Sequence, residues 1–354
     1  MRKPFLLSIV FLLYACPEPF NYYRYDLGRF QESVVNFEEV NSPYDDFNST
    51  SPVIYNRHLF HFSSNRKITG NDFDVIGDNM FINWDKSHGS LEIGMDHNDS
   101  RFNYLKPMFD SLNTACNELG PYSIGFFEDR NLPDLLLTNM VMYSNDCSGD
   151  FDIKLISTEV CDYPNVDSCK INEVVSLDFL NTKANDMYPS FFGEDYYSTI
   201  EMEFNQLDNI EKIIHCSDKE GIFNIYETSI HAGSDIISRL LTSNDMLPEP
   251  EKLLKVNSAY DDKCPFVNGN LLVFASNRPG GFGGFDLYYS EYIHGSWSEP
   301  QNFGEKINTA FNEYRPIVIF HHQYLNNLMI FSSNRTEGKG GYDLYHVGIK
   351  QMVK

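Results

Sequence analysis

The sequence predicts an all-β protein, a five-bladed β-propeller of four-stranded antiparallel blades, and three observations predict it. One hairpin pattern recurs five times along the chain. A proline-marked strand precedes each recurrence. The amino-terminal stretch reads as an outer strand with no blade in front of it, while the last repeat stops one strand short.

The hairpins are clearest at 271–290, LLVFASNRPGGFGGFDLYYS, and at 328–347, LMIFSSNRTEGKGGYDLYHV. A third copy, LFHFSSNRKITGNDFDVIG, lies at 59–77, and worn copies lie at 141–155 and 213–227. In each, an apolar run of β-type residues ends in a Ser-Asn-Arg-like triplet, a polar or glycine-rich turn follows, and a second strand opens on an aromatic residue followed by Asp or Asn. The openings are Phe73-Asp74, Phe151-Asp152, Phe223-Asn224, Phe285-Asp286 and Tyr342-Asp343. An alternation that turns back on itself through Gly and Asn is a β-hairpin.

The strand before each hairpin is marked by Pro52, Pro121, Pro189, Pro265 and Pro316. Three positions earlier stand Ser49, Glu118, Asp186, Asp262 and Glu313. One more extended stretch lies upstream in each unit, as in WSEPQNFG at 297–304. Four strands per unit, repeating roughly every 66 residues, is the period of propeller blades. RFQESVVNFEEVNSPYDD at 29–46 supplies the outer strand that the last unit lacks, which closes the ring and removes a free sheet edge. The domain plan is therefore a leader over 1–15, a linker over 16–28 and one propeller over 29–354.

The SNR-(P)GG-x-GG-(F/Y)DLY hairpins resemble the WD40-like, PD40-type repeats of TolB-type propellers, found in envelope proteins of Gram-negative bacteria and of the Bacteroidetes lineage in particular. The match is strongest over 258–350. The resemblance implies the propeller fold and an envelope location. It says little about activity, because this fold carries binding proteins, peptidase appendages and glycosidases alike.

Arg2 and Lys3 followed by an apolar run from Phe5 to Ala15 form a secretory signal, too short to span a bilayer. Leu13-Tyr14-Ala15-Cys16 resembles a lipobox, which implies cleavage before Cys16 and lipidation of that cysteine. Ordinary secretory cleavage is the alternative. The expected location is the outer membrane, periplasmic or surface side open, with the lipid as the sole membrane contact. Losing the leader takes the net charge from −23 to −25, since Arg2 and Lys3 go with it. Such a surface repels phosphate backbones and excludes nucleic acid as a partner. Cys161 and Cys169 bracket a short loop and are expected to pair outside the cytoplasm. Cys116, Cys147, Cys216 and Cys264 are expected to be free and buried. No spacing suggests a metal site, and no cofactor is implied.

Arg66, Arg278 and Arg335 of the triplets, together with Asp74, Asp152, Asp286 and Asp343 of the strand openings, tempt a catalytic reading. A residue repeated in every blade is better suited to holding turns, and Arg–Asp pairing between the two sets is expected. The four acids Glu118, Asp186, Asp262 and Glu313 open the innermost strands. They are expected at one mouth of the channel, as scaffold, as a cation site or as glycosidase carboxylates. Function is sought where the blades differ. The insert 76–103 gathers Trp84, His88, Asp96, His97 and Asp99, a set able to stack a sugar or grip a peptide; the alternative is a covering loop. A second departure, 228–252, suggests a short helix over 234–242. No Ser-His-Asp or Cys-His signature is present. The expectation drawn from all this is a non-enzymatic envelope lipoprotein that binds a protein partner. The alternative is a propeller that binds or cleaves glycans.

Overall fold

The computed structural model describes residues 25–352 apart from 52, 55–56, 68–71, 99, 101–102, 128–134, 160, 164–168, 198–205, 231–235, 237–239 and 241–246. The leader, Cys16 and nearly all of the helix expected over 234–242 lie outside the described residues. Among the described residues, no helix is long and apolar enough to cross a membrane.

The five-bladed propeller is present. From the axis outward, blade one holds Asp46–Thr50, Arg57–Ser64, Asp74–Asp85 and Ser90–Met95, and blade two holds Glu118–Phe127, Leu135–Asn145, Asp152–Ser157 and Val175–Ser176. Blade three is Asp186–Phe192, Lys212–Ser217, Asn224–Ser229 and Glu251–Lys252, and blade four is Asp262–Asn268, Leu271–Ser276, Asp286–Ile293 and Gln301–Asn302. Blade five takes Glu313–Ile319, Asn327–Ser333 and Asp343–Ile349 from the end of the chain and Val35–Asn36 from its beginning. Val35 pairs with His346 and Asn36 with Tyr345, so the amino-terminal strand closes the ring. Second strands such as Leu271–Ser276 are buried along their whole length, which is why they read as unbroken apolar runs.

The blades are stitched together by a repeat that prolines do not reveal. Asn41, Asn113, Asn181, Asn257 and Asn308 each accept a backbone N–H from the third strand of the preceding blade and return an amide N–H to the carbonyl of the same residue. Four residues further on, Asp45, Asn117, Asn185, Asp261 and Asn312 accept the N–H of the aromatic strand opener. The next residue's N–H donates to that opener's carbonyl at 2.7–2.9 Å in all five blades. Each interblade seam is thus closed by one pattern, Asn-(Ser/Thr)-x-x-(Asp/Asn)-(Asp/Glu), with its polar groups paired.

The last acid of this pattern begins each inner strand. In blade one it is Asp46, which pairs with Ser64 as Asp262 pairs with Ser276 and Glu313 with Ser333. The proline-based assignment of Ser49 to this place is therefore corrected: Ser49 occupies the proline position itself, three residues later. Every inner strand is then broken by a bulge at its third residue. Asn48, Gly120, Tyr188, Cys264 and Arg315 there all have φ between 42° and 60°. This left-handed geometry turns their side chains off the sheet. They meet on the axis: Asn48 Nδ2 donates to the Tyr188 hydroxyl at 3.3 Å, and the fully buried Arg315 donates to the carbonyls of Pro265 and Pro121 while lying over the Tyr188 ring. A Cβ on Gly120 would collide with that same ring. The axis is closed at this level by packed side chains.

Candidate functional site

The acids expected at the channel mouth are fully buried and committed to the scaffold. Glu118, Asp186, Asp262 and Glu313 each accept the N–H of the Ser or Thr four residues before them. The triplet arginines reach these acids and not the strand-opening ones. Arg66 meets Asp46 at 2.5 Å, Arg278 meets Asp262 at 2.5 Å and Arg335 meets Glu313 at 3.1 Å. Each arginine also donates to a loop carbonyl, of Val40, Val256 or Ile307. The expected pairing with Asp74, Asp286 and Asp343 is thereby corrected. Asp286 instead accepts the N–H groups of Phe282 and Gly283, Asp343 that of Gly340, and Asp152 lies by Ser148 and Lys154, so this set holds hairpin turns. Asp74 lies 3.4 Å from Lys67.

Blades two and three lack the arginine. Strand register places Cys147 at the arginine position of blade two, and Cys147 is joined to Cys116 by a disulfide with Cα atoms 5.5 Å apart. The expectation that these two cysteines are free is overturned. A covalent bond does in blade two what an ion pair does in blades one, four and five. With no guanidinium beside it, burial pushes the Glu118 carboxyl up to about 7. In blade three Lys219 takes the position and lies over the Tyr226 ring, and burial likewise raises Asp186. Cys161 and Cys169 are also disulfide-bonded, and Cys216 and Cys264 are free and buried.

Up to Met95 the insert 76–103 is a hairpin rather than a draped loop. It prolongs the third and fourth strands of blade one, with Met80 opposite Met95 and Trp84 opposite Leu91. Its members part company. Trp84 is far out along the hairpin, in edge contact with Tyr25, and His88 sits at the tip on Asp85. His97 is at the base, where Nδ1 meets Asp78 at 2.6 Å, and the Asp96 N–H donates to the Asn79 carbonyl. Asp99 lies outside the described residues.

The base of this hairpin forms one wall of a cavity of about 420 Å³, within the range usual for small-molecule sites. The helix Lys106–Leu112 forms the opposite wall. Pro107 suits its first turn, Met108, Phe109 and Leu112 are buried between blades one and two, and Lys106 pairs with Asp110 on the outer face at 2.7 Å. The floor is His61 on the second strand of blade one. Gly77 is its cross-strand partner, and a Cβ there would press on the imidazole at 2.8 Å, so the glycine makes room for the ring. His61 is completely buried, its Nδ1 is 3.0 Å from Ser123 Oγ, and Phe109 packs 4.3 Å from it. Burial lowers His61 to about 3, which leaves a neutral ring. Its Nε2 has no hydrogen-bond partner, an unpaired state that costs about 1–3 kcal/mol unless a ligand or water meets it. Leu59, Val75 and Ile76 supply apolar surface, and Lys67, Asp78, Asn79, His97, Asn103 and Asp110 the polar rim.

Sequence reasoning found only His97 of this set. His61 is hidden inside a strand copy, where it reads as a core residue. The helix is signalled by Pro107 and by the Lys106–Asp110 spacing of four. A second surface, at the propeller mouth, is a circle of half-buried rings. Phe47 contacts Phe73 and Tyr342, Tyr314 contacts Phe285 and Tyr342, and Lys263 lies over Phe223, Phe285 and Tyr314. Among the described residues, no group of three or more His, Cys, Asp or Glu could hold a metal ion.

No family model matches the chain, and no curated protein matches it in sequence. Solved structures do. The catalytic domain of a GH62 α-L-arabinofuranosidase from Coprinopsis cinerea is 10% identical with a TM-score of 0.47, covering 92% of this chain and 98% of its own. A putative glycoside hydrolase from Bacteroides ovatus is 8% identical with a TM-score of 0.45, covering 91% and 96%. An exo-β-1,3-galactanase from Clostridium thermocellum is 10% identical with a TM-score of 0.43, covering 89% of this chain and 62% of its own. At these identities the likeness concerns the fold. The neighbours named are glycoside hydrolases, against the expectation of a non-enzymatic, protein-binding scaffold, and that expectation is withdrawn.

Proposed function

We propose that this chain is a glycan-binding or glycan-cleaving propeller whose saccharide lodges in the cavity beside blade one. The observation that supports it is the cavity itself, whose lining sets the His97–Asp78 pair and the helix Lys106–Leu112 beside the apolar side chains of Leu59, Val75 and Ile76. A sugar presents hydroxyls around its edge and C–H groups on its faces, and it needs both kinds of surface. The Asp78 carboxylate would accept a sugar hydroxyl beside His97, and the aliphatic side chains would meet the C–H face. A glycan panel read by titration calorimetry, with a reducing-sugar assay on each ligand found, tests this. A ligand bound by the native chain and lost in His97→Ala supports the reading; a panel without a ligand, or binding indifferent to His97→Ala and Asp78→Asn, overturns it.

The finer repeat assignment, a TolB-type lipoprotein held at the outer membrane through Cys16, is likewise our proposal. It is supported by Arg2-Lys3, the apolar run to Ala15 and Leu13-Tyr14-Ala15-Cys16. Labelled palmitate should enter the native protein and not Cys16→Ala; equal labelling, or none in either, would refute it.

A further inference from the structure

The amino-terminal stretch crosses the end of the propeller opposite the aromatic mouth. The inner strand of blade five starts at the mouth with Glu313 and runs to Ile319, and the loop beyond it meets residues 25–30. Gly28 bridges Tyr324 there, donating to the Gln323 carbonyl at 2.8 Å and accepting the Leu325 N–H at 2.9 Å. A Cβ on Gly28 would strike the Tyr324 and Trp84 rings at 2.8 and 3.0 Å, so the glycine lets the stretch lie close on the blades. Tyr25 lies over blade one, its N–H on the Lys86 carbonyl and its ring against Gly89 and the edge of Trp84. The outward surface here is apolar: Tyr25, Leu27 and Leu325 are 38%, 44% and 47% exposed, and Ile293, which ends the third strand of blade four, is exposed at the same end. Single exposed leucines are ordinary. What sets this group apart is its place. Only eight residues, 17–24, separate Tyr25 from Cys16, a span of at most about 30 Å when fully extended. Charge around the group nearly cancels, with Arg29 and Lys86 against Asp26, Glu32 and Asp85, on a chain of 50 acids and 27 lysines and arginines. An uncharged lipid surface is therefore not repelled here.

We propose that this end of the propeller lies on a zwitterionic bilayer, with Tyr25, Leu27 and Leu325 in the headgroup layer and the aromatic mouth presented away from the membrane. This rests on the anchoring through Cys16 proposed above and adds a second contact to the lipid, which the sequence alone gives as the sole one. An anchor at residue 16 brings this end to the interface, and half-exposed apolar side chains gain by leaving water there. The lipid holds the chain, and the patch sets its orientation.

A chain starting at residue 17 with an amino-terminal hexahistidine, bound to phosphatidylcholine vesicles through a nickel-chelating lipid, puts a tether where the acyl chains would be. The tryptophans are Trp84 and Trp297, so subtracting the spectrum of Trp84→Phe leaves the emission of Trp84. With brominated phosphatidylcholine the native chain should lose about half of that emission or more. In Leu27→Asp/Leu325→Asp, whose exposed leucines carry no core packing, the loss should be at least about threefold smaller. Trp84 emission untouched by bromine while the chain is bound, or quenched equally in the double variant, would overturn the inference. So would a dimer of the untethered chain that the double variant abolishes, since a second copy would then cover this face. Because the tether replaces the lipid, none of these results depends on whether Cys16 is acylated, which the palmitate labelling reads by itself.

Discussion

Glu118 offers the sharpest test of how the scaffold is held. Its carboxyl is buried without an arginine, and burial pushes it up from 4.5 to about 7. The folded chain therefore keeps a proton that the unfolded chain releases near pH 4.5. The stabilisation is full below about 4.5 and is lost as pH rises through about 7. A gap of that width corresponds to at most about 3.4 kcal/mol; solvent near the exposed Thr114 loop reduces the figure to about 1–2 kcal/mol. Glu118→Gln keeps the shape and an acceptor for Thr114 and Asn145 but cannot ionise. Urea unfolding of both proteins at half-unit steps from pH 4.5 to 8 is the assay, with the difference between the curves as the readout. That difference cancels His61 and His215, which burial lowers to about 3 and which act in the opposite direction. The variant should gain on the native chain by about 1–2 kcal/mol across this range. Parallel curves would refute the claim that the Glu118 carboxyl is buried without a cation to balance its charge.

Arg278→Met should cost about 3–5 kcal/mol, since it leaves Asp262 buried without its cation; a melting temperature within 2 °C of native would contradict this. Cys116→Ser should cost about 3.7 kcal/mol for a bridge that spans 31 residues, measured by urea unfolding beside the native chain. Gly120→Ala places a side chain at φ 60° against Tyr188 and should lose at least about 2 kcal/mol.

The propeller is legible because its repeat is written twice, once in the hairpins and once in the seams. The hairpins are conspicuous, since Ser-Asn-Arg and the glycine turns differ so much from core strands. The seam pattern is the better marker: NSPYDD at 41–46, NTACNE, NTKAND, NSAYDD and NTAFNE align without a gap. Proline spacing points near it but misplaces blade one, because Ser49 stands where the other inner strands have proline. Partners are harder to read than elements. Arg66, Arg278 and Arg335 reach acids 16 to 22 residues before them and not those about eight residues after, because antiparallel pairing sets the triplet beside the start of the inner strand. The Cys116–Cys147 bridge is likewise invisible until register shows Cys147 in an arginine's place.

The site is less legible for the same reason. Its floor is a histidine inside a repeat, made useful by a glycine on the next strand, and its far wall is a seven-residue helix between two blades. His97 can be picked out as unusual, but Trp84 and His88, equally unusual, lie along the hairpin and at its tip. Singular residues mark where a blade departs from its siblings, and packing decides which of them share a cavity.

A crystal structure of the chain with a saccharide bound tests the account most directly. The account predicts a sugar oxygen within hydrogen-bonding distance of the His97–Asp78 pair, with the helix Lys106–Leu112 on the opposite side of the ring. A sugar stacked on Phe47, Tyr314 and Tyr342 at the propeller mouth, with the cavity beside blade one holding only water, would contradict it.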